Sequence, residues 1–185
     1  MKNIMIDIET LSNKPNAAIV AIGAVQFDID TGELGGEISL NIDPSSAQKA
    51  GLDVDANTVM WWMCQSEMAR EKTFFPKCPK AVLPLDESLT NLCLWWVKGA
   101  TLWSHATFDA VILRNAFGAV GIQTPWHYRD TRDIRTIYDL AKRKGYTDSL
   151  VARPDGNTAH SALDDAIYQA QYVSAMWNCL KSGVR

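Results

Sequence analysis

Asn3-Ile4-Met5-Ile6-Asp7-Ile8-Glu9-Thr10 opens the chain and reads as a strand. A purely structural role would fill the buried face of such a strand with apolar and neutral side chains. Asp7 and Glu9 stand two apart, so on a strand both carboxylates leave the same face of the sheet. Two like charges side by side repel, at a cost relieved when a cation sits between them. This stretch therefore predicts a sheet element and a cation-binding position together.

Working outward, Ala17 to Phe27 offers a second extended segment, closed by the turn-rich Asp28-Ile29-Asp30-Thr31-Gly32. Glu37 to Ile42 offers a third, and the opening reads as a hairpin or meander. Asn57-Thr58 predicts a helix cap ahead of Val59, and Ser66 starts a further turn through Glu71. Trp61-Trp62-Met63 forms an apolar ledge. It reads first as packing, with a tryptophan or Met63 bordering a substrate groove as the functional alternative. Pro76-Lys77-Cys78-Pro79 and Pro84 mark an irregular connection. From Leu85, the positions Leu89, Leu92, Cys93 and Trp96 recur on one helix face that stops near Gly99.

Thr101 to Trp103 predicts a short strand leading to Ser104-His105-Ala106-Thr107-Phe108-Asp109, and Ala110 to Phe117 reads helical. A helix is expected from Asp130-Thr131 to Lys144, with Gly145 as its stop. The last helix is expected over 161–180, where Leu163, Ile167, Ala170, Val173 and Trp177 repeat at helical intervals. Strands first and strand-helix alternation afterwards predict an α/β or α+β domain around a mixed sheet.

The chain's 185 residues suit one domain, expected over residues 1–180 with 181–185 as a short tail. With 18 basic and 21 acidic residues the formal charge is −3. That gives no general attraction for a polyanion or a membrane, yet leaves room for an enzyme whose metals hold a phosphate. Residues 127–153 are locally basic, with Arg129, Arg132, Arg135, Lys142, Arg143, Lys144 and Arg153. They read either as a solvated helix and loop or as a flank that steers a nucleic-acid backbone. Cys64, Cys78, Cys93 and Cys179 lack a zinc-ligand spacing and read as reduced thiols. No signal-like leader or membrane-length apolar run is visible, so a soluble cytoplasmic protein is expected. A monomer is the default; Trp61-Trp62 and Trp95-Trp96 covering a dimer seam is the alternative.

Two further acids complete the pattern: Asp109 at a strand-to-helix junction, and Asp165 on the last helix beside Asp164, with His160 five residues ahead. Together with Asp7 and Glu9 they form a hard oxygen donor set suited to two Mg²⁺ or Mn²⁺ ions. Asp7 is the natural bridging ligand. Such a pair, about 3.5–4 Å apart, serves in-line phosphodiester displacement. An imidazole at His160 suits the task of general base.

Asp7-Ile8-Glu9-Thr10, Phe108-Asp109 and His160-Ser161-Ala162-Leu163-Asp164-Asp165-Ala166 resemble the three motifs of the DEDDh class of 3′–5′ exonucleases, in the ribonuclease-H-like superfamily. The last segment matches that class's His-x-Ala-x-x-Asp-Ala pattern throughout and selects Asp165 over Asp164. The resemblance implies an α/β fold with a mixed five-stranded sheet flanked by helices. It implies two divalent ions, Mg²⁺ or Mn²⁺, on Asp7, Glu9, Asp109 and Asp165, with His160 as base. The implied reaction releases nucleoside 5′-monophosphates from single-stranded ends or overhangs of DNA or RNA with a free 3′ end. Thr10 and Leu11 would lie beside the terminal nucleotide, with His105 and Phe108 as further substrate contacts.

The middle motif departs from the pattern, because Ser104-His105-Ala106 stands where many relatives have a His-Asn pair. His105 is thus a substrate contact or a local structural hydrogen-bonding residue. Residues 17–23 and 58–70 are also similar to phage and prophage members, exoribonuclease-like or exonuclease-VIII-like. That similarity implies a bacterial host cytoplasm. The 146–158 segment, just ahead of His160, is expected either to move the base into place or to be a plain connection. Two alternatives stand beside the exonuclease reading: an oligoribonuclease for very short RNA, and a noncatalytic nucleic-acid or protein interaction domain.

Overall fold

The computed structural model describes residues 1–76, 82–148, 151–153 and 159–182. Its centre is a six-stranded sheet in the order β4-β3-β2-β1-β5-β6. β1 (Asn3–Thr10), β2 (Ile19–Phe27) and β3 (Leu34–Ile42) form the antiparallel meander. β5 (Thr101–Ser104) lies parallel to β1, and β6 (Thr131–Asp133) parallel to β5. The two-residue β4 (Val82–Leu83) pairs parallel with β3 and makes this mixed sheet one strand wider than the expected five.

β1 alternates as its sequence dictates. Ile4, Ile6 and Ile8 face a core shared with α2 (Ala56–Met63), α4 (Leu85–Trp95) and α5 (Asp109–Ala119). Met5 faces a second core, where Val25 and Phe27 meet Ile134, Ile137 and Ala141 of α6 (Ile134–Arg143) and Ala166, Ala170, Val173 and Met176 of α7 (Ala162–Ser182). Both faces of the sheet are therefore covered by helices, the layering that alternating strands and helices favour. α1 (Pro44–Lys49) and α3 (Glu67–Phe74) follow β3 in the chain and contact β2.

Two helix starts differ from expectation. α2 is capped by Asp55, whose carboxylate accepts from the N–H groups of Asn57 and Thr58, so Asn57-Thr58 lies inside the first turn. The chain at Asp130-Thr131 does not enter a helix. Residues 128–130 make a single 3₁₀ turn, Thr131, Arg132 and Asp133 pair with Leu102, Trp103 and Ser104, and α6 begins only after Asp133 caps Thr136 N–H at 3.0 Å. Sheet pairing wins there because it satisfies backbone groups that a helix start would leave open.

The tryptophan ledge is split. Trp62 is buried with its Nε1 donating to the Thr10 carbonyl at 2.9 Å, while Trp61 and Met63 are exposed. Cys64, Cys93 and Cys179 are free thiols; Cys78 and the 77–81 connection lie outside the described residues. Among the described residues no helix is long and apolar enough to cross a membrane.

Candidate active site

β1 and β5 run parallel and end on the same side of the sheet, where ligands of α/β proteins collect. Asp7 and Glu9 project from the C-terminal half of β1 on the α7 face. Past the end of β5 the chain turns through residues 105–108 and enters α5 at Asp109. Asp133 steadies that turn from the neighbouring strand, its Oδ1 accepting from Ala106 N–H at 3.1 Å while Oδ2 caps α6. The Asp109 carboxylate accepts from the His105 N–H at 2.8 Å, and a helix N-terminus favours an acid at that position. α7 supplies Asp165 from its first turns, with the Asp165 carboxylate reaching back to accept from His160 N–H at 2.9 Å.

These elements bring the acids into two groups that share Asp7. One atom each of Asp7, Glu9 and Asp165 lie within 4.8 Å of one another, and so do atoms of Asp7, His105 and Asp109. Asp164, adjacent in sequence, turns away and pairs with Lys72.

Crowding is written into their protonation. The Asp7 carboxyl is held well above the ordinary range, first by burial and then by the charges of Asp109, Glu9 and Asp165. Glu9 is pushed up to about 8 by burial, then by Asp165 and Asp109. Burial lifts Asp109 to about 7 against the pull of the His105 N–H and Arg135. Carboxylates that resist ionisation as a group, all offering hard oxygens, match what a pair of divalent cations requires. The donor set therefore fits such ions.

The other candidate residues fall around this cluster. Glu9, Thr10, Trp61, Trp62 and Phe108 line a cleft of about 550 Å³. The His160 ring stands edge-on to Trp61 at 5.0 Å, and its backbone takes a φ of 61°. Thr10 donates its hydroxyl to the Ser12 carbonyl at 2.7 Å. Leu11 is buried and lines a separate apolar hollow with Val59, Trp62 and Phe74. His105 Nδ1 lies 3.8 Å from Asp109 Oδ2, and burial, then Arg135, lowers its pKa.

Two further contacts complete the site, one from Gln169, which no sequence motif singles out, and one from Arg153 of the basic flank. Gln169 donates its Nε2 to Asp7 Oδ1 at 2.7 Å. It lies four residues beyond Asp165, one helical turn along the same face, and that spacing was its available signal. Arg153 donates to Asp165 Oδ1 at 2.5 Å, a contact that no sequence spacing announces. The remaining basic flank divides: Arg143 pairs with Asp139 and Lys142 with Asp148, whereas Arg135 contacts Thr107 Oγ1 at 3.4 Å on the site's edge. Residues 149–150 and 154–158, part of the segment expected either to move the base into place or to be a plain connection, lie outside the described residues.

Solved structures with similar folds include cell-death related nuclease 4 (CRN-4), with a TM-score of 0.66 at 14% identity, over 95% of this chain and 63% of that one. The nuclease domain of 3′hExo, a DEDDh family member bound to rAMP, gives 0.63 at 13%, over 96% of this chain and 92% of that one. E. coli exonuclease I in complex with a dT13 oligonucleotide gives 0.65 at 12%, over 97% of this chain and 41% of that one. The chain thus spans less than two thirds of CRN-4 and of exonuclease I. No curated protein matches it by sequence. The family model of the 3′–5′ exoribonuclease Rv2179c-like domain matches residues 2–177. With that match over nearly its whole length, on a ribonuclease-H-like fold, the chain belongs to the Rv2179c-like 3′–5′ exoribonuclease domain family.

Proposed function

We propose that the protein is a metal-dependent 3′–5′ exonuclease that removes nucleoside 5′-monophosphates from a single-stranded 3′ end, with RNA as its first substrate. The observation that carries the reading is the convergence of Asp7, Glu9 and Asp165, and of Asp7, His105 and Asp109, within 4.8 Å beside a cleft large enough for one nucleotide. Family membership favours RNA. The rAMP and dT13 held by 3′hExo and E. coli exonuclease I are ligands of those proteins and support a strand end as the substrate.

In this reading Asp7, Glu9, Asp109 and Asp165 would hold two Mg²⁺ or Mn²⁺ ions, Asp7 being the residue common to both side-chain groups. When bound, the ions supply a more acidic water and offset the charge on the departing 3′ oxygen. The chain's own residues do the rest. Thr10, Trp61 and Phe108 seat the terminal nucleotide in the cleft beside Glu9, and Leu11 supports that wall from behind. His105, next to Asp109, contacts the sugar-phosphate. His160 accepts the attacking water's proton on its imidazole. The P–O3′ bond breaks, the water oxygen joins phosphorus, and the departing 3′ oxygen takes a proton from solvent, to which His160 returns its own, so that the shortened strand leaves with a free 3′ hydroxyl. The similarity of residues 17–23 and 58–70 to phage and prophage members supports a host-cytoplasm setting.

A ladder assay tests this. RNA and DNA strands labelled at the 5′ end, from a few nucleotides to a few tens, are incubated with wild type and Asp7→Asn in Mg²⁺ or Mn²⁺. One-nucleotide shortening from the 3′ end that disappears in the variant, with unchanged circular dichroism, is expected. Cleavage confined to the shortest RNA would make it an oligoribonuclease. Binding with no hydrolysis in either metal would overturn the enzyme reading in favour of an interaction domain.

A further inference from the structure

Two clefts flank the acidic cluster, and the reading above uses only one. Glu9 borders the first; His105 borders the second, and Asp7 groups closely with both residues. The second cleft measures about 270 Å³ and is walled by Tyr138, Tyr146, Tyr168 and Tyr172, with Arg135 at its rim. Four tyrosines converging from α6, α7 and the segment between them is an unusual lining for a space this near buried carboxylates. Tyrosine offers a flat face for stacking at little entropic cost and a hydroxyl for orientation. The cleft is open, and Tyr138 on its outer wall is 38% exposed. Its hydroxyl is held by Asp148 at 3.1 Å, and Asp148 is in turn offset by Lys142 at 3.5 Å, so the wall carries little net charge. Arg135 is exposed, lines this cleft and reaches Thr107 Oγ1 at 3.4 Å, which places a cation at the cleft's edge.

Resting on the exonuclease reading, we propose that this cleft seats the base of the second-last nucleotide, stacked on Tyr138, with Arg135 receiving the phosphate on its 5′ side. The bond to be cut then spans the acidic cluster, with one base in each cleft. The enzyme would hold its leaving strand by an aromatic contact indifferent to base identity. Rates of the first cleavage would depend on whether the second-last position carries a base at all, more than on which base it is.

The experiment compares 5′-labelled decamers, as RNA and as DNA, that carry either a normal nucleotide or an abasic one at the second-last position. The readout is kcat/KM for release of the terminal nucleotide in Mn²⁺. For wild type, removing that base is expected to cost about tenfold, within the range that one stacked base contributes. For Tyr138→Ala the two substrates are expected to differ by less than about twofold, while the normal substrate falls to near the wild-type rate on the abasic one. Equal wild-type rates on both substrates would overturn the subsite while leaving the nuclease reading intact. A tenfold abasic penalty that survives in Tyr138→Ala and in Tyr168→Leu would overturn the tyrosine assignment. Hydrolysis of none of the decamers, and of no shorter RNA strand beside them, would overturn the nuclease reading, and the subsite with it.

Discussion

Gly23 of β2 lies so close to α7 that a Cβ on it would stand 2.1 Å from the carbonyl carbon of Ala162. Gly23 is also the cross-strand partner of Asp7, so both residues face α7 from adjacent strands. The missing side chain is what lets the first turn of α7 settle onto the sheet and bring Asp165 to Asp7 and Glu9.

Gly23→Ala should therefore act on stability and on the site at once. A methyl group forced against backbone cannot be relieved by a rotamer change, so a loss of about 3 kcal/mol is expected, at the upper end for overpacking. A lower urea midpoint and weakened Mn²⁺ binding by calorimetry would accompany each other. Near-wild-type values in both would mean that α7 can shift without consequence.

The raised carboxyls make stability without metal depend on pH. In the unfolded chain these acids titrate near 4, whereas in the folded protein Asp109 holds its proton to about 7 and Glu9 to about 8. Between those limits the folded state binds more protons than the unfolded one, so stability falls as the pH rises. Melting temperature in EDTA should decline from about pH 4.5 to pH 8. In excess Mn²⁺ that decline should flatten or reverse, since bound cations favour the ionised form. Parallel curves with and without metal would argue against these acids as its ligands.

How much of this was readable beforehand depends on periodicity. Asp7 and Glu9 share a face because a strand repeats every two residues, and Met5 on the same face does pack under α7. On α7, the apolar repeat alone left Asp164 and Asp165 unresolved; the motif chose Asp165, and the structure turns Asp164 to Lys72. The start of α6 was not legible, because Asp130 and Asp133 are equally good caps and only pairing with β5 separates them. The pairing of Arg153 with Asp165 and the tyrosine cleft were hidden for a different reason. They arise from tertiary packing, which no local pattern encodes.

His160 holds a φ of 61°, a region that asparagine tolerates better than most residues. His160→Asn should thus keep the backbone, including its N–H bond to Asp165, while removing the imidazole. Thermal stability within about 0.5 kcal/mol of wild type is expected, with the hydrolysis rate lower by roughly 10²–10⁴-fold. Oligonucleotide affinity should hardly change. Full activity in this variant would strip His160 of the role of base and leave it a backbone support for Asp165.

Gln169 fixes one oxygen of Asp7 by its 2.7 Å bond, and its own Oε1 is buried with no partner among the described residues. That asymmetry separates its worth to the fold from its worth to the site. An amide half satisfied in a buried position contributes little net stability, so Gln169→Leu, close in volume, should unfold within about 1 kcal/mol of wild type. The site should respond differently. Without the N–H, Asp7 loses the group that orients its carboxylate, and partners of that kind are worth about 10–100-fold in metal affinity. Calorimetric Mn²⁺ titration should show that loss, and activity should recover partly at high Mn²⁺. A variant that binds Mn²⁺ as tightly as wild type would show that Asp7 is positioned by the strand alone; one that unfolds early would make Gln169 a core residue first.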